Sequence, residues 1–128
     1  MRLSNPPTIA PPVGAYSHGV EIPPNARWLH VSGQVGIAPD GTLGEDAAEQ
    51  SQIIWDNIQA ILADAGMGIE NLVKVTAFLT DPDDLPAYGT VRSAALGQAR
   101  PCSTLIYVPA LVKPDWKVEV DVVAAAAG

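Results

Sequence analysis

The side chains able to do chemistry are few and scattered. His18 and His30 are the only histidines and Cys102 is the only cysteine. Their spacing is not that of a metal site, which needs three or four ligands brought together, so neither a metal nor another cofactor is expected. Neither histidine has an Asp or Cys nearby in sequence that would suggest a dyad. The acidic run Asp81-Pro82-Asp83-Asp84 reads as turn and capping chemistry before it reads as a cation site. Cys102 reads as a small buried hydrophobe. Ser32 stands beside Gly33, where it could serve a bend. Tyr16 belongs to a Gly14-to-Gly19 loop as a packing residue or the wall of a cleft. Glu119 alternates with Val118 and Val120, which places it on the face opposite that apolar pair.

The elements that carry these residues follow from pattern. Residues 1–13 hold four prolines and little periodicity, and read as an extended lead-in. Val20 to Ile22 reads as a short strand. Pro23-Pro24-Asn25 is turn chemistry, with φ fixed at the prolines and an Asn that tolerates a left-handed conformation. With Trp28 to Ser32 it suggests a β-hairpin. Gly33 to Gly36 allows a bend. A helix starts near Asp46, with Ile54, Ile58, Ile61, Leu62 and Ala65 at helical spacing and Trp55 extending the stripe. Gln50, Gln52, Asp56, Gln59 and Ala63 fall on the other side, and Gly66 is placed to cap the C-terminus. Leu72 to Leu79 is a strand. The Asp81–Asp84 turn opens a second helix, with Pro86 in its first turn, that runs to about Leu96. Ser103 to Val108 is a strand. Lys117 to Val123 is the clearest alternating strand, with Ala124 to Ala127 as its end or a frayed terminus.

The predicted order is β-β-α-β-α-β-β, an α+β fold in one domain, residues 1–128. Two helices cover one face of a mixed sheet. The other face needs a cover, and a symmetric copy of the chain is the economical one. An apolar content of 48% suits a core plus such an interface.

Charge narrows the partners. The net charge is −7, with seven Lys and Arg and no basic run, which disfavours nucleic acid. No stretch reaches the roughly 18 apolar residues of a membrane helix, so no membrane partner is expected. The N-terminus lacks a secretory pattern, and a lone cysteine cannot pair within the chain. The expected location is the cytoplasm.

In order along the chain, Gly14-Ala15-Tyr16-Ser17-His18, Val31-Ser32-Gly33-Gln34-Val35-Gly36, Asn57, Ala65-Gly66, Val73 to Asp81, Arg100-Pro101 and Val118-Glu119-Val120-Asp121 resemble the RidA (YjgF) proteins. These are reactive-intermediate deaminases, also labelled L-PSP endoribonucleases. The resemblance implies a chorismate-mutase-like fold, a homotrimer, and small-molecule clefts at the subunit boundaries. It implies a short imino or enamino acid hydrolysed to a keto acid and ammonia. It assigns catalytic positions to Glu119, which would orient the water, and Ser32, which would hydrogen-bond the substrate. It assigns substrate binding to Tyr16, Gly33 and Ser103.

The resemblance breaks at one position. Where the active deaminases have Pro-Ala-Arg, this chain reads Pro101-Cys102-Ser103. The missing arginine clamps the substrate carboxylate with two parallel hydrogen bonds, which suits a planar fork. Serine brings one donor and no charge. Leu105 also stands where the family has a nearby cysteine. Arg100 is a candidate substitute: an odd offset from Ser103 reverses the face on a regular strand, but Pro101 leaves the local path open. Arg92 reads as a solvated residue of the second helix. The expectation is an imine or enamine deaminase with altered substrate preference. The alternatives are a non-catalytic binding or regulatory trimer and, more remotely, a ribonuclease, which the acidic charge disfavours.

Overall fold

The computed structural model describes residues 1–128. The strands are β1 (Arg2–Ser4), β2 (Gly19–Glu21), β3 (Arg27–Val35), β4 (Leu72–Leu79), β5 (Cys102–Tyr107) and β6 (Val118–Ala126). The helices are α1 (Ala47–Asp64), between β3 and β4, and α2 (Leu85–Leu96), between β4 and β5. One sheet has the order β3-β6-β4-β5; β4 and β5 run parallel and the other neighbours antiparallel. This is the expected α+β architecture of two helices on one face of a mixed sheet.

The local signals that set α1 are all used. Asp46 is its N-cap, and its carboxylate accepts from the Glu49 amide at 2.8 Å. At the other end Gly66 takes φ +68°. Its amide donates to Ala63 and the Met67 amide to Leu62, the paired bonds of a Schellman motif. Ile54, Trp55, Ile58 and Leu62 are fully buried against Val75, Leu79, Val118, Val120 and Val122 of the sheet.

Three expectations change. The proposed hairpin does not form: β2 pairs with β1, from the proline-rich lead-in, while β3 pairs with β6. Asn25 does adopt φ +64°, so the turn is real but leads from one sheet into the other. The Gly33–Gly36 bend lies partly within β3, as a register shift between Val31 and Gln34. Gln50, assigned to the solvent side of α1, is buried. Its amide donates to the carbonyls of Gly44 and Asp115, and its side-chain oxygen accepts from the Lys117 amide. A Cβ at Gly36 would lie 2.5 Å from the Gln50 Cβ, so a glycine there lets the chain pass close against the stem of Gln50 on α1.

The second face of the sheet is uncovered in the single chain. Strand alternation puts Trp28, Phe78, Ile106, Glu119 and Val123 on it. Trp28 is 52% exposed and Ile106 44%. No helix is long and apolar enough to cross a membrane.

Candidate functional site

The aromatic loop and the start of β5 are tied together by the backbone. The Ser17 amide donates to the Pro101 carbonyl at 3.2 Å. Cys102 Sγ donates to the His18 carbonyl at 3.7 Å. Cys102 is thus half-buried at a contact between segments, not the buried hydrophobe of the sequence reading. His18 shapes the same loop: its Nε2 donates to Ala10 O at 2.8 Å, and its ring meets Tyr16 edge-on, centroids 6.0 Å apart. The Val13 amide donates to the Tyr16 hydroxyl at 3.3 Å. His30 stands on exposed β3 beside Trp28.

These ties place Tyr16 and Ser103 on one open cleft of about 540 Å³, with Leu85, Tyr88, Arg92 and Leu105 among its walls. Ser103 pairs in register with Val75 and Leu105 with Ala77, so the cleft opens on the helix-covered side of the sheet. Arg92 was expected in solvent. It is half-buried and lines the cleft, and its Nη2 donates to the Ala15 carbonyl at 3.2 Å. A helical stripe could have shown this, because Leu85, Tyr88, Arg92 and Leu96 follow an i, i+3, i+7, i+11 spacing. Burial lowers the Arg92 pKa from its ordinary value. Tyr88 sits beneath with Trp55 and Arg92 as polar neighbours, yet its hydroxyl has no hydrogen-bond partner. Burial pushes its phenol up to about 12, so it is neutral at physiological pH.

Glu119 lies elsewhere. It pairs with Phe78 across β6 and β4 and, with Phe78, Val108 and Leu111, lines a shallow depression on the uncovered face. Its carboxylate occupies the space beside Gly33 that a Cβ would fill. Ser32 is exposed at the neighbouring irregularity of β3, its carbonyl accepting from Gln34 Nε2. Arg100 joins neither group. Its Nη1 donates to the carbonyls of Gly97 and Ala99, and it lines a separate apolar depression with Leu3 and Leu96. Within one chain, then, Tyr16, Ser103 and Arg92 share one side of the sheet, and Ser32, Gly33 and Glu119 the other.

This arrangement has relatives. Residues 8–126 match the family model described as Endoribonuclease L-PSP. The chain belongs to the RidA (YjgF) family. A RutC family protein of Pyrococcus abyssi is 32% identical, with 88% of this chain and 87% of that protein aligned. TdcF of Escherichia coli K12, named as a candidate reactive intermediate deaminase, is 27% identical over 88% of this chain and 87% of its own. Among solved structures, the Rid-family protein YyfB of Yersinia pestis superposes with a TM-score of 0.85 at 29% identity, covering 98% of both chains. RidA of an Antarctic Psychrobacter gives a TM-score of 0.73 at 31% identity, covering 90% of this chain and 91% of that one. The RidA family therefore accounts for nearly the whole chain.

Proposed function

We propose that this RidA-family chain hydrolyses reactive enamine or imine intermediates to carbonyl compounds and ammonia, in clefts completed between copies of itself in a homotrimer. The observation that carries the reading is the distribution of the family-implied positions. Tyr16 and Ser103 form one wall, and Ser32, Gly33 and Glu119 form another on the opposite side of the sheet. Two walls facing away from each other in one chain can enclose one small molecule only if a second copy supplies the other. The uncovered face, with Trp28, Phe78, Ile106 and Val123, offers the apolar area for that contact.

The chemistry asks little of the protein beyond position. The imine carbon accepts a water oxygen while the C=N electron pair moves to nitrogen. Glu119 takes a proton from the water and passes it to nitrogen, giving the carbinolamine. On collapse it takes the hydroxyl proton and passes that to nitrogen too, so that the carbonyl forms, C–N breaks and ammonia leaves. Tyr16 packs against the substrate, and Ser32 and Gly33 line the approach to the carboxylate. Holding water and imine in contact is itself a large share of the acceleration.

The test is direct. An imine such as 2-iminobutanoate is generated in situ, and keto-acid release is followed with and without the protein. Acceleration beyond buffer, lost in Glu119→Gln, is the expected result. No acceleration across a range of imines, with and without a carboxylate, removes the enzymatic reading and leaves a binding or regulatory trimer.

A further inference from the structure

We propose that Arg92, reaching in from α2, is the anion-recognition residue of the Tyr16 cleft, and that the cleft takes a short monocarboxylate although Ser103 stands at its usual clamp position. The inference rests on the cleft being the substrate site proposed above.

The first argument is charge. Arg92 is half-buried and has no acidic partner. The chain carries fourteen Asp and Glu, yet its single ion pair joins Arg2 to Glu21 on the exposed β1–β2 sheet. A cation withdrawn from water without a counter-ion is costly, and such groups are ordinarily paired. No carboxylate of the same chain pairs it, so its free donors are available to an anion from outside the chain. The lowered pKa of Arg92 has the same origin in burial, while the guanidinium stays charged at any physiological pH.

The second argument is position. Arg92 is the only charged side chain that this chain itself gives the cleft, whose other walls include Val13, Tyr16, Leu85, Tyr88, Ser103 and Leu105. One guanidinium nitrogen donates to the Ala15 carbonyl, which tethers the fork at the foot of the Tyr16 loop. Of its five N–H donors, one is used there and four remain, more than the two that a carboxylate accepts in parallel. Ser103 adds a neutral hydroxyl on the facing strand. The apolar remainder of this wall suits a small aliphatic chain.

The third argument separates Arg92 from the other candidate. Arg100 has its guanidinium turned onto the carbonyls of Gly97 and Ala99 and does not line this cleft. Arg100 is near enough to act on Arg92 through space, but the only cation this chain puts on the cleft wall is Arg92, and it comes from the helix rather than from the strand.

The experiment is an amide-resolved NMR titration with butanoate and with its neutral isostere butanamide. In the wild-type chain, butanoate should bind at least tenfold more tightly than butanamide and shift the amides of Ala15, Tyr16 and Ser103. Arg92→Gln should abolish that preference; Arg92→Lys, which keeps the charge and loses the fork, should retain a reduced one and guards against a Gln variant that fails to fold. Equal binding of the two probes by wild type, or an undiminished preference in Arg92→Gln, overturns the inference. The readout is independent of turnover. A preference for butanoate without imine hydrolysis would remove the proposed enzyme and leave Arg92 in its role. Hydrolysis of a carboxylate-bearing imine at equal rates by wild type and Arg92→Gln would do the opposite.

Discussion

The carboxylate of Glu119 lies in the space beside Gly33 that any larger residue would claim. The two residues are on neighbouring strands of the uncovered face, and the contact is with the far end of a flexible side chain. Gly33→Ala should therefore leave the fold intact, with a stability change within about 1 kcal/mol, while pushing the carboxylate aside. Imine hydrolysis should fall about 100-fold, comparable to losing a general base. Thermal melts and turnover measured on one preparation check this; a parallel loss of both would mean that Gly33 is structural.

Gln50 is the polar linchpin of α1. It joins the Gly44 and Asp115 carbonyls and the Lys117 amide. Gln50→Leu keeps the volume and orphans these backbone groups, at about 3 kcal/mol in total. At roughly 3–5 °C per kcal/mol for a chain of this size, the melting temperature should drop by about 10 °C. A drop under about 3 °C would show that water replaces the amide.

Two glycines should respond with opposite signs. Gly66 caps α1 at φ +68°, where a Cβ is strained, so Gly66→Ala should cost about 1 kcal/mol. Gly89 lies inside α2, and a Cβ there meets nothing within 4 Å. Gly89→Ala should stabilise by about 0.5–1 kcal/mol through the unfolded state. Denaturant midpoints measure both.

Tyr88 should shape the alkaline limb of stability. Its pKa is pushed up to about 12 by burial, against about 10 in the unfolded chain. Between those values the folded state holds the proton that the unfolded state has lost, so stability is flat below about pH 10 and falls as pH rises toward 12. The loss approaches about 2–3 kcal/mol. Tyr88→Phe should remove that fall. Because the hydroxyl has no hydrogen-bond partner, the variant should be at least as stable at pH 7. Urea titrations of both proteins from pH 8 to 12 decide it.

Much of this was legible in the residues because local chemistry and tertiary context agree. Asp46, the apolar stripe from Ile54 to Leu62, and Gly66 each define α1 independently. The alternation from Lys117 onward marks β6. The β2–β3 hairpin was misread because Asn25 reports only that the chain turns; which strand a segment joins depends on pairings far along the sequence, Arg2–Ser4 for one and Val118–Ala126 for the other. Gln50 and Arg92 were assigned to solvent by polarity. Both are drawn inward by partners that pattern cannot see: backbone carbonyls for Gln50, the Ala15 carbonyl for Arg92. The positions of Tyr16, Ser32, Ser103 and Glu119 were suggested by resemblance, but not that the sheet lies between them.

A barrier of that kind lends itself to genetics. A Glu119→Gln chain and an Arg92→Gln chain would each spoil every site in a pure preparation. In the proposed trimer, mixing them and allowing subunits to exchange would bring an unspoiled Arg92 side from one parent against an unspoiled Glu119 side from the other. About a quarter of the boundaries in a random one-to-one mixture would be restored, and two silent proteins would regain activity in one tube.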